Sequence, residues 1–513
     1  MAAAPTTRTT DETRPVTTSP ALSPTTPTAT STTTATTTAP AGAPLSDGAA
    51  AHAARELLRL ATAGSVDDGK STLIGRLLYD TKSVLADQLS AVERATAARG
   101  AAEGEVDLAL LTDGLRAERE QGITIDVAYR YFSTARRAFV LADTPGHVQY
   151  TRNMVTGAST AQLAIVLVDA RKGVLEQTRR HATVAALLGV PHVLLAVNKM
   201  DLVDFDEAVF RSIAEDFSAY AAGLGLPDVL AVPVSALAGD NVVDRSTRTP
   251  WYDGPTLLEH LETVPVSDAR ADDDLRLPVQ VVIRPRTAEH PDYRGYAGRI
   301  ASGTVRVGDA LTVLPSGKTS VVTGIDTFDG PLDEASAGRS VTVRLADELD
   351  VSRGDVLVPT GTPVTLGQDL VGTVCWLSER RSVLGSRLLV RIGTRTVRAL
   401  LREVDARLDV DTQTVELLSG VDTLHQVDAT DTSSDAAPSG LGLNAIGRVR
   451  VRLPEPVLLD DYARHRGTGA FLLVDPADGS TLAAGMVGPT LLDRLAPEPE
   501  DSSDADWLAG AGI

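Results

Sequence analysis

A single cysteine, Cys375, stands in 513 residues, so no internal disulfide framework and no cysteine-rich metal site can be built. Lysine is nearly as scarce: five positions (Lys70, Lys82, Lys172, Lys199 and Lys318) among 48 basic residues, the rest arginine. A lysine that persists under such a bias marks a place where a planar guanidinium does not serve. No apolar run approaches the roughly 20 residues that span a bilayer, so no membrane association is expected. The first basic residues are not followed by an apolar signal core, which argues against secretion. Basic charge is also in deficit, with 48 Lys and Arg against 68 Asp and Glu and a net charge of −20. That balance speaks against an electrostatic grip on nucleic acid. What is present, 43% hydrophobic and 23% charged residues, is the composition of a soluble globular protein, expected in the cytoplasm. The length calls for two or three domains.

Residues 1–54 are rich in Thr, Pro and Ala and hold almost no large apolar side chain. Such a segment cannot offset its ordering entropy, so it is expected to be a disordered tail. Across 55–265, short apolar runs (Leu57 to Ala63, Ala138 to Ala142, Leu163 to Val168, His192 to Val197, Val229 to Val234) are mostly separated by helical stretches such as Thr178 to Leu188 and Glu207 to Gly223. That alternation predicts an α/β domain with a mainly parallel sheet and helices on both faces. After a charged linker at 268–274 the texture becomes short alternating strands with glycine turns. It predicts two small antiparallel β-barrels, at 275–363 and 367–492. A surface loop at 425–440 and an acidic tail at 493–513 complete the expected division.

Between the first apolar run and a helix lies Gly64-Ser65-Val66-Asp67-Asp68-Gly69-Lys70-Ser71, followed by Thr72. This G-x-x-x-x-G-K-S spacing fits a phosphate loop, in which glycines turn backbone N–H groups inward and the helix N-terminus adds positive potential. Lys70 would neutralise β- and γ-phosphate oxygens, and the Ser71 hydroxyl would ligate Mg²⁺. Asp143-Thr144-Pro145-Gly146-His147 ends a second strand; Asp143 is placed to hold Mg²⁺ through water, Gly146 lets the backbone approach the γ-phosphate, and His147 could orient an attacking water. Between them, Thr124 can give its hydroxyl to Mg²⁺ and its N–H to the γ-phosphate, losing both on hydrolysis.

Asn198-Lys199-Met200-Asp201 closes a further strand. Asp201 can accept from guanine N1 and N2, Asn198 can bond the O6/N7 side, and the Lys199 stem can cover the ring. Adenine would strand the buried carboxylate, a mismatch that hydrogen-bonding sites reject by roughly 10⁴ to 10⁵. Ser235 and Ala236, after the last strand, are placed to offer backbone N–H to O6. Each motif alone could be a fortuitous turn or a solvated helix end; in this order, at strand ends and loops, they point to a GTPase using GTP and Mg²⁺.

The motifs joined to two barrels resemble the translational-type GTPases, and Arg294 to Gly303 with Val307-Gly308-Asp309 looks like their second-domain barrel. Finer features are Asp68 in the phosphate loop, Leu77 to Thr81, Asp113 to Asp126, Val127 to Phe132, Gln149 to Met154 and Asp169-Ala170-Arg171-Lys172-Gly173. In these the chain resembles one branch, the sulfate adenylyltransferase subunit 1 family, the GTPase subunits of bacterial ATP sulfurylase. Val148 departs from the glutamate usual after Pro-Gly-His, and the long N-terminal tail is not a family feature. The likeness implies a heterodimer or higher assembly with a smaller catalytic subunit, in which GTP hydrolysis drives formation of adenosine 5′-phosphosulfate and pyrophosphate from ATP and sulfate. It also implies Lys70, Thr124, His147 and Asp67 as the hydrolytic residues, Asp67 supporting a cation beside the β–γ bridge. No second phosphate loop occurs, so a fused adenylylsulfate kinase is not expected. An elongation-factor-like protein delivering aminoacyl-tRNA, and a GTP-gated adaptor without catalytic coupling, are the alternative readings.

Overall fold

The computed structural model describes residues 56–98, 106–111, 127–146, 151–226, 228–266, 273–288, 292–418, 440–489 and 491–495. The expected disordered tail, nearly all of the 425–440 loop, and residues 496–513 lie outside them.

Six strands form the first sheet: β1 (Leu57–Gly64), β2 (Ala128–Ser133), β3 (Ala138–Asp143), β4 (Leu163–Asp169), β5 (His192–Asn198) and β6 (Asp228–Pro233). Their order is β2-β3-β1-β4-β5-β6. The β2–β3 pair is antiparallel and every other pair is parallel. Helices α1 (Lys70–Asp80), α2 (Ala86–Ala98), α3 (Thr151–Ala158), α4 (Glu176–Leu187), α5 (Glu207–Gly223) and α6 (Leu257–Thr263) accompany them. The period of two along a strand divides each one between two cores. Leu163, Ile165 and Leu167 of β4 join one hydrophobic cluster with Leu73, Ile74 and Leu77 of α1. Ala164, Val166 and Val168 join the other with Val184 of α4 and Phe217 of α5. A strand buried on both faces reads as an unbroken apolar run, which is why β4 and β5 are visible in the sequence. β2 has no such run: it is an edge strand whose Tyr129 and Tyr131 are exposed, and its alternation gives no apolar block.

Residues 277–359 form an eight-stranded antiparallel sheet and an additional two-stranded pair. Residues 366–487 form a seven-stranded sheet in which the Arg387–Ile392 and Arg395–Leu408 strands pair with each other and close the barrel. Each set has its own apolar core. The two are joined by a buried ion pair, Arg276 Nε to Asp460 Oδ2 at 2.9 Å, with the Thr468 hydroxyl donating to the same carboxylate oxygen at 2.6 Å. Burial of such a pair costs hydration of both charges, and the added hydroxyl satisfies a remaining lone pair. A last helix, α7 (Leu491–Leu495), buries Leu491 and Leu492, so the expected start of the tail at 493 falls inside a packed helix.

The second barrel docks on the α/β unit at the ends of its helices. Tyr462 donates to Leu188 O at 3.0 Å, beyond the end of α4. Arg466 donates to Ser159 O at 3.2 Å, beyond α3. Arg494 of α7 reaches Leu224 O at 3.4 Å, beyond α5. Helix C-termini leave carbonyls without intrahelical partners and carry partial negative charge, so arginine and tyrosine donors suit them. Cys375, Leu408, Val410 and Met486 of the barrel continue the α4–α5 core.

Candidate nucleotide site

In an open parallel sheet, ligands bind outside the carboxyl ends of the strands, where the strand order reverses. Here β1 lies between β3 and β4, so the reversal falls at the end of β1, where the Gly64–Ser71 loop begins. Asp143, Asp169 and Asn198 are the last residues of β3, β4 and β5, and Ser235 follows β6. The sequence-derived phosphate and base motifs therefore converge on one sheet edge, from positions up to about 170 residues apart.

The loop is held by its own polar groups. Asp68 accepts from Ser65 N–H at 2.6 Å, and Asn198 Nδ2 donates to Asp68 O at 2.7 Å. Gly69 has φ +91°, and a Cβ there would collide with the Asn198 amide, so both backbone and neighbour demand glycine. α1 starts at the next residue, presenting its N-terminus to the loop. Lys70 Nζ is buried and donates to Gly64 O at 2.9 Å and Ser65 O at 3.0 Å. Burial lowers its pKa, and the Asp143, Asp68 and Asp67 charges oppose that shift. Asp68 is pushed upward by burial, against the Ser65 hydrogen bond and the nearby lysines.

Val66 and Asp67 complete the loop, and Ser71 and Thr72 open α1. Asp143 is buried, with the Thr62 hydroxyl at 3.4 Å from its Oδ1, and Thr144 donates to Thr62 O at 2.5 Å. After buried Pro145, Gly146 passes directly over the loop: a Cβ would run into Lys70 Nζ and Gly64 O. Thr124 and His147 lie outside the described residues.

At the base motif, Asn198 is used at both ends: Nδ2 on the phosphate loop and Oδ1 accepting from Ala236 N–H at 2.9 Å. It ties the β1, β5 and β6 loops together. Ser235 Oγ donates to Asp201 Oδ1 at 2.6 Å, while Met200 is fully buried beneath. Lys199 has φ +64° and sends Nζ to Asp67 O and, at 3.0 Å, to Asp169 Oδ2. Asp169 is a member of this site that motif spacing does not assign. Its signal is a carboxylate ending a strand whose seven residues are all buried.

Whether these residues fit a nucleotide phosphate and its metal ion is decided by the donor set. Ser65 Oγ and Asp68 Oδ1 are buried with no hydrogen-bond partner. They are hard oxygen groups beside an anion cradle made by the buried Lys70 ammonium, the Gly146 crossing and the α1 N-terminus. The residues fit.

The comparisons with known proteins agree with this edge. The elongation factor Tu GTP-binding domain matches residues 55–267, elongation factor Tu domain 2 matches 296–358, and the GTP-eEF1A C-terminal domain-like family matches 419–488. The chain is a P-loop GTPase of the elongation factor Tu type, with a GTP-binding domain followed by antiparallel barrels. Sulfate adenylyltransferase subunit 1 of Cellvibrio japonicus is 50% identical over 438 residues, covering 85% of this chain and 88% of that protein. The bifunctional enzyme CysN/CysC of Mycobacterium tuberculosis is 55% identical over 433 residues, 84% of this chain and 67% of that protein. A solved structure of Sup35 complexed with GDP covers 85% of this chain and 94% of that one at 24% identity, with a TM-score of 0.37, too low to bear on the assignment. The chain belongs to the sulfate adenylyltransferase subunit 1 family. No helix among the described residues is long and apolar enough to cross a membrane.

Proposed function

We propose that this chain is the GTP-hydrolysing subunit of a sulfate adenylyltransferase. With a smaller catalytic partner subunit, it couples GTP hydrolysis to formation of adenosine 5′-phosphosulfate and pyrophosphate from ATP and sulfate. The observation that carries this reading is half-identity along nearly the whole length of a subunit 1 relative. Gathering of the phosphate and base motifs on one sheet edge supports it. The work is divided among a GTPase domain at 55–265 and barrels at 275–363 and 367–492, in a cytoplasmic protein that needs no nucleic acid.

Gly64 to Thr72 wrap the phosphates, with Lys70 supplying the charge that stabilises them. Ser71, Thr124 and Asp143 would hold Mg²⁺, which when bound would neutralise phosphate charge. Thr144, Pro145 and Gly146 bring the backbone to the γ-phosphate, and His147 positions the water. Asp67 supports a cation beside the β–γ bridge. Asp201 reads the guanine N–H donors, Lys199 covers the ring above buried Met200, and Asn198, Ser235 and Ala236 frame the O6 side. Coupling follows from the Thr124 and Gly146 loops preferring one partner conformation with the triphosphate and losing those contacts on hydrolysis. It is limited by the partner's differential affinity for the two states.

The test is pyrophosphate release from ATP and sulfate by this chain with its small subunit, with and without GTP. GTP should raise the yield and be consumed only when every component is present. Hydrolysis indifferent to sulfate and ATP would remove the sulfate-activating function and make aminoacyl-tRNA binding the next assay. Asp201→Asn should move preference from GTP toward xanthosine triphosphate, because an amide can donate where the carboxylate only accepts; competition binding with both nucleotides checks it.

A further inference from the structure

Lys199, like Asn198, reaches from the base motif across to the phosphate loop, but its position depends on a group outside both motifs. Asp169 ends β4 beside Asn198 of β5, in parallel register. Its side chain is fully buried, and four hydrogen bonds fill it. Oδ1 accepts from Arg171 N–H and Nε, both at 3.0 Å. Oδ2 accepts from Arg171 Nη2 at 2.6 Å and from Lys199 Nζ at 3.0 Å. The turn that lets Arg171 fold back is closed by Lys172 and Gly173 N–H donating to Asp169 O at 2.9 and 3.1 Å. The Lys199 ammonium is thus held between a backbone carbonyl of the phosphate loop, that of Asp67, and a carboxylate locked in orientation by an arginine fork. Burial alone would raise the Asp169 carboxyl; the hydrogen bonds from Arg171 and Lys199 outweigh it and keep the group far below the usual range, hence charged.

We propose that Asp169, oriented by Arg171, is a positioning residue that fixes Lys199 across the nucleotide site and so sets how long a guanine nucleotide stays bound. This rests on the guanine-nucleotide reading of the site. Asp169 touches neither the base-reading Asp201 nor the phosphate-binding Lys70 in any hydrogen bond, so it governs residence time and not base identity. A lysine released from its carboxylate keeps only a neutral carbonyl partner and samples rotamers away from the ring. The effect is expected to fall equally on di- and triphosphate, because Lys199 bonds a backbone carbonyl and a carboxylate and has no part in holding a γ-phosphate.

The experiment is stopped-flow release of a fluorescent N-methylanthraniloyl-GDP from the full chain, chased with excess GDP. The set is wild type, Asp169→Asn, Arg171→Ala, Lys199→Ala and the Asp169→Asn/Lys199→Ala double variant. Asp169→Asn should speed release about tenfold, the size of one charge-assisted hydrogen bond, and equally for the GTP analogue. Arg171→Ala, which changes a half-exposed side chain and leaves the core untouched, should give a smaller increase of about threefold. In the Lys199→Ala background Asp169→Asn should add less than about twofold, because its action runs through the missing lysine. Preference for guanine over xanthine nucleotide should not move in any of them. An Asp169→Asn release rate equal to wild type, or the same factor with and without Lys199, overturns the assignment. Wild-type chain that holds no guanine nucleotide would instead overturn the site reading beneath it, so the two failures are distinct.

Discussion

The two edges of the six-stranded sheet meet opposite halves of the same backbone problem. At the carboxyl edge, strand ends give way to loops and helix N-termini, where N–H groups lack partners. There the chain places Asp68, Lys70, Asp143, Asp169 and Asn198, all buried. At the other edge, helices that run back against the strands end in spare carbonyls. There the second barrel and α7 supply Tyr462, Arg466 and Arg494 as donors to Leu188, Ser159 and Leu224. One edge carries the candidate nucleotide site and the other a capping interface, and an apolar core fills the space between them. Helices α3, α4 and α5 each meet the barrel or α7 at their C-terminal ends. The comparison predicts that substitutions at one edge change ligand affinity with little effect on stability, and that those at the other do the reverse.

The largest effect should come from Lys70→Ala. Two charge-assisted contacts to phosphate would be lost, about 3 kcal/mol or more than a hundredfold in GTP affinity. Removing Lys70 leaves two backbone carbonyls without their donor, but it also relieves the burial of an ammonium, so the two effects offset and the melting temperature of the nucleotide-free chain should fall little. Titration calorimetry and thermal melting on one preparation would show the split; a large drop in stability would mean that the loop lysine is also a structural member of the sheet edge.

Tyr462→Ala is the mirror experiment. The ring lies in the shared core with its hydroxyl on Leu188 O, so the loss combines a cavity with an unsatisfied helix carbonyl, about 3 kcal/mol. Urea unfolding should show it, with nucleotide affinity unchanged. Weakened GTP binding in this variant would show that the barrel and the nucleotide edge are energetically one unit.

These edges were unequally legible in the sequence. The nucleotide edge is written in short local spellings: glycines at 64 and 69, carboxylates and amides that end apolar runs, all interpretable through phosphate and guanine chemistry. Buried β4 and β5 announced themselves by their apolar runs, whereas β2, exposed at the sheet edge, and α2, with much of its surface in solvent, did not. Asp169 was visible only as a family resemblance, since its role depends on where Lys199 and Arg171 fold. The capping edge left no local trace: Tyr462 and Leu188 are 274 positions apart, and Arg494 and Leu224 are 270. Nothing in a tyrosine on a barrel loop specifies which helix end it will meet; that is fixed by the packing of whole domains.

A pH measurement probes the core between the edges. His181 of α4 is fully buried, with Gln177 on Nε2 at 3.0 Å and no partner on Nδ1. Burial, helped by the Lys70 and Arg180 charges, lowers its pKa to about 3. The unfolded imidazole takes up a proton near its ordinary 6.5, so between these values the unfolded state binds more protons and stability falls as pH falls. The slope from this group is about 1.4 kcal/mol per pH unit at most, halved at pH 6.5 and fading above it. His181→Gln should flatten that limb in urea titrations from pH 7 to 5; an unchanged slope would mean that the imidazole finds a proton acceptor when charged.

The smallest expected effect isolates a single bond at the capping edge. Tyr220 of α5 donates its hydroxyl to Val410 O of the barrel at 2.7 Å, and the Thr183 hydroxyl of α4 lies 2.8 Å from the Tyr220 hydroxyl oxygen and 2.9 Å from Arg179 O. Three contacts share two hydroxyl protons, so if Tyr220 serves Val410, Thr183 either serves Arg179 or turns to Tyr220. Tyr220→Phe removes the donor to Val410 and leaves Thr183 free to bond Arg179, so the net cost should be about 1 kcal/mol and no more. Gln413 Nε2, which donates to Tyr220 O at 2.8 Å, is untouched by the change and keeps the barrel in place. A double-mutant cycle with Thr183→Val should show coupling well below the single cost, because the two hydroxyls do not need each other when Tyr220 points to the barrel. Strong coupling would show instead that the Tyr220 proton sits on Thr183, and that the barrel carbonyl is held by packing and not by a hydrogen bond.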